Sequence, residues 1–283
     1  MNSNHDGPAG EGDAAYLNAT PLNATPLNVV VHNGDGPHAL LVHGALGSRS
    51  LWAENLAALQ QVCRPVVVEL WGHGRSPSPT DPAHYKSAGY VAEFEQLRSR
   101  LGIDRWHTIG QSMGAGLTLT YGLAHPERVI SQVVTNSTSA FAPIDGWREH
   151  HASGATPMAE RLRTEGTEFL RNAKLNPGRS RHLAETTRQL LAIEFDEHDA
   201  TGIANSMTIT TATLPLGERL TKVTRPTLLT LGVEEERFLR LVPRARLIPN
   251  LEVVELAASH GVNTHDADGW NEAVAAFLTR HHE

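Results

Sequence analysis

The stretch "IGQSMGAG", Ile109 to Gly116, decides how this chain reads. It sets Gly110, Ser112 and Gly114 in a Gly-x-Ser-x-Gly pattern, directly after the short run "WHTIG" (106–110) and before the helical pattern "GAGLTLTYGLAH" (114–125). A serine held at a sharp turn between strand and helix exposes its hydroxyl above the sheet. A side chain two residues to either side would collide with that turn, so glycine stands at both places. The pattern alone is weak, since a glycine-rich turn can produce it by chance; the strand before and the helix after give it meaning. Ser112 is the candidate nucleophile.

Outward from this turn, short β-branched or aliphatic runs alternate with longer helical patterns, the signature of a mainly parallel sheet covered on both faces. Strands are predicted at 27–32, 38–43, 64–70, 106–110, 129–135, 227–231 and 251–256, and helices at 51–62, 88–102, 114–125 and 271–282. The alternation breaks between about Ser139 and Arg219, where the pattern is mostly helical. The expected organisation is a flexible tail (1–26), an α/β core (27–138 and 220–283) and an inserted helical cap (139–219). Long insertions of this kind leave from the carboxyl ends of strands, where ligands also bind. The tail carries "LNATPLNATPLN", a five-residue unit too short for a solenoid, with sequons at Asn18 and Asn23 that need a secretory route to be used.

Composition removes several function classes. Hydrophobic residues at 40% and charged residues at 19% describe an ordinary globular chain. A net charge of -7 without a Lys/Arg run argues against a nucleic-acid partner. Cys63 is the single cysteine, so neither an intramolecular disulfide nor a thiolate metal cage can form; it reads as a small buried hydrophobe. No segment reaches the roughly 20 apolar residues of a membrane span, and the N-terminus lacks a signal-peptide pattern. A cytoplasmic location with no membrane partner is expected. The histidines show no zincin spacing, and "EFDEHD" (194–199) reads as a solvated face, so neither metal nor cofactor is expected.

Three further stretches join the serine turn: "LLVHGALGSRSLW" (40–52), "ELWGHGRSPSP" (69–79) and "SHGVNTHDADGWNEAVAAFL" (259–278). With these the chain resembles the α/β-hydrolase superfamily from about Val29 to the C-terminus. The first is similar to that family's His-Gly oxyanion loop, the second to its Gly-His-Gly-x-Ser loop, and the third to its catalytic-histidine end. Acyl transfer creates a negative oxygen that needs donors fixed in advance. One is the backbone N–H of Met113, next after the serine; the resemblance places the other at Ala45. His43 reads as a brace for that loop, and His73 as a loop residue lining the entrance.

His260 follows the last strand and precedes the last helix, which makes it the candidate base in the order serine, acid, histidine expected of this fold. The acid belongs on the loop after the 227–231 strand, where "GVEEERF" offers three consecutive glutamates. The family's usual Gly-x-x-Asp, counted from Gly232, falls on Glu235, a methylene longer than the commoner aspartate. Glu234 is the runner-up, Glu236 follows, and Asp145 is an outside candidate. Acidic residues also favour a helix's first turn, and both readings can hold, since successive helical residues point about 100° apart.

The resemblance implies a serine hydrolase acting on a small-molecule ester, lactone or related activated carbonyl compound through an acyl-enzyme. Ser112 stands where epoxide hydrolases and haloalkane dehalogenases carry an aspartate. A carbon–carbon hydrolase of the meta-cleavage or β-diketone type is the enzyme alternative, set back by Gly261 where those relatives carry Trp. A non-catalytic ligand-binding protein on the same fold is the alternative of another class. In the cap, Arg148, Arg161, Arg163, Arg171, Arg179, Arg181 and Arg188 read as a solvated outer face, one of which could meet a substrate carboxylate. Exposed cap helices leave room for a homodimer.

Overall fold

In the computed structural model residues 27–151, 156–172, 176–180 and 183–282 are described. The expected tail, with its repeat and sequons, lies outside them. Seven strands form where β-branched and aliphatic runs were read: β1 Val29–Val31, β2 His38–Val42, β3 Arg64–Val68, β4 Trp106–Gly110, β5 Val129–Thr135, β6 Thr227–Gly232 and β7 Leu251–Leu256. The principal helices are α1 (Ser87–Arg100), α2 (Met113–Ala124), α3 (Glu185–Phe195), the single turn α4 (Glu236–Leu239) and α5 (Ala267–Arg280).

The sheet runs β1-β3-β2-β4-β5-β6-β7, with β1 antiparallel to β3 and every other pair parallel. β4, β5 and β6 are buried along their whole length, as a parallel sheet covered on both faces requires. The two-residue period of β2 sorts its side chains between two cores. Leu40 and Val42 meet Tyr90, Phe94 and Leu97 of α1 on one face, while Ala39 and Leu41 join Trp270, Val274 and Phe277 of α5 on the other. β7 closes the sheet as an edge strand with Glu252 and Glu255 exposed, charges that discourage further pairing.

Strand order creates the site. From β2 the chain crosses outward to β3 and then returns past β2 to β4, so loops leaving the carboxyl ends of β2 and β4 diverge and open a crevice. Val42 and Gly110, the last residues of these two strands, are register partners across it.

Among the described residues between β5 and β6 no strand occurs. Helices cover Thr138–Phe141, Ile144–His151, Pro157–Glu165, Thr167–Asn172, α3, Ala200–Asn205 and Thr211–Thr213. Thr156 and Asp199 cap two of them by accepting backbone N–H bonds from Ala159 and Gly202. Ala159, Leu162, Phe195, Ile203 and Ala204 form a small core of their own, and Leu46 from the loop after β2 packs against it.

The helix expected at 51–62 departs from the sequence pattern. It splits into a 3-10 turn at Arg49–Trp52 and one α-turn at Leu56–Leu59. The break falls at buried Asn55, whose Nδ2 donates to Asn263 O (2.9 Å) and Asn271 Oδ1 (2.9 Å) and whose Oδ1 accepts from Asn263 Nδ2 (3.0 Å). These bonds across more than two hundred residues override local propensity.

Phe277 is 1% exposed at the centre of the α5 face. Phe277→Ala is expected to cost about 3–5 kcal/mol through lost burial and an incompletely collapsed cavity. Urea unfolding measures it, with exposed Glu272→Ala on the same helix as a control near zero.

Candidate active site

Ser112 stands between β4 and α2 with φ 53° and ψ −112°, a left-handed conformation rarely adopted by a residue with a side chain. Strain of this kind costs on the order of 1–3 kcal/mol and persists only where the surroundings enforce it. Here Gln111 N–H donates to Val42 O (3.0 Å) and Ser112 N–H to Thr135 Oγ1 (3.2 Å), tying the turn to β2 and to the end of β5. A Cβ on Gly114 would run into the carbonyl oxygens of Val42 and His43; one on Gly110 would meet Gly114 O and the Ala115 Cα. The two glycines of the motif therefore permit a backbone approach that no other residue allows.

His260 Nε2 lies 2.8 Å from Ser112 Oγ, and its Nδ1 lies 3.0 Å from both carboxylate oxygens of Glu235. Nδ1–H donates to the carboxylate, leaving Nε2 to accept the Ser112 hydroxyl proton. Of the three glutamates only Glu235 is buried; Glu234 and Glu236 are exposed, as is Asp145. Glu235 is the residue before α4, so Glu236 occupies the helix's first turn while Glu235 turns inward. The acid and histidine loops touch closely: Glu234 N–H donates to Ala258 O (3.0 Å), and a Cβ on Gly232 would strike the carbonyls of Ala258 and Ser259.

Sequence reasoning missed Asn136. It is fully buried just after β5, donates from Nδ2 to Glu235 Oε2 (3.0 Å) and Gly232 O (2.9 Å), and accepts the Gly232 N–H at Oδ1 (3.0 Å). Its one sequence signal is its place as a polar residue immediately after a strand adjacent to the acid's own. Burial alone would raise the Glu235 pKa. The His260 hydrogen bond and charge, then Asn136 and Arg237, outweigh it and hold the carboxyl below its ordinary range.

Ala45, exposed on the loop after β2, and Met113, the first residue of α2, follow His43–Gly44 and Ser112 respectively. Among the described residues neither backbone N–H donates to a protein acceptor. An open pocket of about 190 Å³ has Ala45 in its wall, with Leu46, Gly47, Leu51, Gln111, Pro177, Leu183 and Leu191. Gln111 also donates to His260 O at 3.4 Å, which joins the pocket wall to the histidine loop.

Beneath the loop after β2 lie three buried histidines, His43, His73 and His198. His73 does not line an entrance: it is fully buried, its ring tilted against His43 (5.0 Å between centroids) and edge-on to His198 (5.3 Å). "EFDEHD" is not wholly solvated either, because Glu194 and His198 turn inward, at 4% and 5% exposure. Each ring is locked as one neutral tautomer by backbone partners. His43 donates from Nδ1 to Gly44 O (2.7 Å) and accepts Leu70 N–H at Nε2 (3.1 Å). His73 donates to Trp71 O (3.0 Å) and accepts Leu46 N–H (3.3 Å); His198 accepts Gly74 N–H (2.8 Å) and donates to Leu46 O (3.4 Å). Burial pulls His43 and His198 down to about 4, and His73 well below the ordinary range.

Elsewhere, Cys63 is buried and its thiol pushed up to about 12 by burial. Arg161, Arg171 and Arg188 pair with Glu165, Asp196 and Glu185, while the side chains of Arg148 and Arg181 lie outside what is described. Among the described residues no cluster of three or more His, Cys, Asp or Glu could hold a metal, and no helix is long and apolar enough to cross a membrane.

The sequence family described as alpha/beta hydrolase fold matches residues 37–184, more than half of the chain. The chain belongs to that family. Among similar α/β-hydrolase proteins, a putative 2-succinyl-6-hydroxy-2,4-cyclohexadiene-1-carboxylate synthase of Bacillus subtilis (strain 168) is 26% identical over 87% of this chain and 93% of its own length. A putative carbamate hydrolase RutD of Pseudomonas syringae pv. syringae (strain B728a) is 27% identical over 87% and 95%. The enol-lactonase from Burkholderia xenovorans LB400 has the same fold, with a TM-score of 0.74 at 24% identity, covering 89% of this chain and 96% of that one.

Because His43, His73 and His198 have folded pKa values below their unfolded value of about 6.5, the unfolded chain binds more protons as the solution acidifies. Their contribution to stability is full above about pH 6.5 and is lost as pH falls through about 4. The Tm should decline across that window, and at pH 5 the imidazole NMR signals of His43 and His198 should still report neutral rings.

Proposed function

We propose that this chain is a serine hydrolase that cleaves a small-molecule ester, lactone or related activated carbonyl bond through an acyl-enzyme. One observation carries the reading: the unbroken hydrogen-bonded series from Glu235 through His260 to the Ser112 hydroxyl, with contacts of 3.0 and 2.8 Å. His260 accepts the Ser112 proton as Oγ attacks the carbonyl carbon. Glu235 stabilises the imidazolium without taking its proton. The tetrahedral oxygen is held by the backbone N–H groups of Ala45 and Met113. His260 then protonates the leaving group, and water attacks the acyl-enzyme by the same route. Met113 opens α2, so its unpaired N–H points from the positive end of a helix, a favourable place for a developing anion.

The helical segment 139–219 acts as a cap over the pocket, to which it contributes Pro177, Leu183 and Leu191. This mainly apolar lining suits an uncharged acyl or alkoxy group better than a polar one. Relatives whose names describe an enol-lactonase, a carbamate hydrolase and a carboxylesterase support a carbonyl substrate bearing an oxygen or nitrogen leaving group.

A fluorophosphonate probe should label Ser112 in the folded protein, identified by peptide mass; an unlabelled Ser112 sinks the hydrolase reading. Glu235→Gln should lower kcat by about 10⁴-fold, the scale for loss of the orienting acid in a serine protease, and Glu234→Gln should stay near wild type. A panel that yields turnover only with β-diketone or dienone compounds replaces ester cleavage with carbon–carbon cleavage.

A further inference from the structure

Three consecutive residues of the loop after β2 converge on a single buried carboxylate from α3. Glu194 Oε2 accepts from Ser48 Oγ (2.5 Å) and Ser50 N–H (3.2 Å), while Oε1 accepts from Ser50 Oγ (2.8 Å) and lies 2.9 Å from Arg49 Nη2. Arg49 is shared with a second buried carboxylate, Glu69, at 3.7 Å. Glu69 also accepts the backbone N–H of Arg49 (3.4 Å) and of Arg75 (3.0 Å). A surface pair of this kind would contribute little; here Arg49 and Glu194 are almost wholly shielded, and Glu194 accepts three hydrogen bonds besides.

The loop so gripped has no slack between this anchor and the oxyanion donor. Only Leu46 and Gly47 separate Ala45 from Ser48. Leu46 is left-handed at φ 63°, and both its backbone groups are bonded to buried histidines. Gly47 N–H closes a tight turn onto Gly44 O (3.1 Å). Ser48–Ser50 are therefore coupled to Ala45 through two residues that are themselves tightly held. Leu191, three residues before Glu194 on the same face of α3, lines the pocket beside Ala45. One helix thus touches both the pocket and the loop that carries the proposed donor.

We propose that Glu194 is a positioning residue for the oxyanion loop: by fixing Ser48, Arg49 and Ser50 it sets the direction of the Ala45 N–H. Transition-state stabilisation then depends on how α3 is seated over the core. The assignment rests on the hydrolase reading above. It differs from a merely stabilising ion pair in what it affects. A misdirected donor weakens binding of the tetrahedral species and leaves ground-state binding alone, whereas a loosened fold lowers the Tm and the active fraction.

The test compares wild type with Glu194→Gln, which keeps side-chain size and removes the charge, using an activated aryl ester as substrate and an aryl boronic acid as a tetrahedral adduct of Ser112. Titration with a fluorophosphonate normalises rates to active sites. Displacing one donor should cost less than deleting it, so kcat should fall by about 10-fold with KM near wild type. The boronic acid's inhibition constant should rise by the same factor. If Glu194→Gln does not fold, the double variant Ser48→Ala/Ser50→Ala keeps the Glu194–Arg49 pair and should show a smaller loss with the same kcat and boronate signature. Unchanged kcat, or a loss confined to KM, in a folded variant of an active enzyme overturns the assignment and leaves the hydrolase reading intact. A wild type that neither turns over nor labels overturns both.

Discussion

The structure depends on one strained residue. Ser112 holds a left-handed backbone at the point where β4 becomes α2, and the conformation survives because neighbours on three sides leave it no alternative. β2 supplies the carbonyl that receives Gln111 N–H, and β5 supplies the hydroxyl that receives Ser112 N–H. α2 packs so tightly against β2 that Gly114 cannot bear a side chain. Each constraint requires parallel strands that end at the same level. The buried Val, Leu and Ile runs that pair β2, β4 and β5 are what make the serine turn affordable.

From that turn the polar groups are laid out in order along the sheet. Asn136 leaves β5, Glu235 leaves β6 and His260 follows β7, so adjacent strand ends deliver side chains that touch. Asn136 fixes the acid loop: it clasps both backbone groups of Gly232, then holds the carboxylate itself. Burial alone would push this carboxyl's pKa up; its partners pull it below the ordinary range instead. Ionisation and orientation are thus one problem solved by the same contacts.

Much of this was legible in the chain. The strands could be read because a parallel strand buried on both faces is a continuous aliphatic run, and Ser112 because its glycines record a steric demand. Glu235 was reached by counting from Gly232; its separation from Glu234 and Glu236 is a matter of burial, which three identical letters cannot express. Asn136 and Glu194 were invisible for a different reason. Their partners lie far away in sequence, 99 residues for Asn136–Glu235 and 146 for Ser48–Glu194, and no periodicity encodes such a meeting. "EFDEHD" looked solvated because acidic residues without a visible partner usually are. The partner, "SRS" at 48–50, lay in a different motif.

The layer beneath the loop after β2 also limits how that loop could act as the proposed oxyanion hole. Its three imidazoles meet backbone N–H groups with their unprotonated nitrogens, so a second proton on any ring would face a donor where an acceptor is needed. They stay neutral, and the charges nearest the loop's far end are two carboxylates sharing Arg49. In the proposed reaction the negative oxygen would therefore be met at this loop by a backbone N–H dipole and not by an imidazolium from this layer. Dipoles lose strength quickly when misdirected, so the loop has to be rigid. Its left-handed Leu46, its bonded histidines and its carboxylate anchor are three separate restraints on that loop, and the last of them joins α3 to the core through buried charge rather than through apolar packing alone.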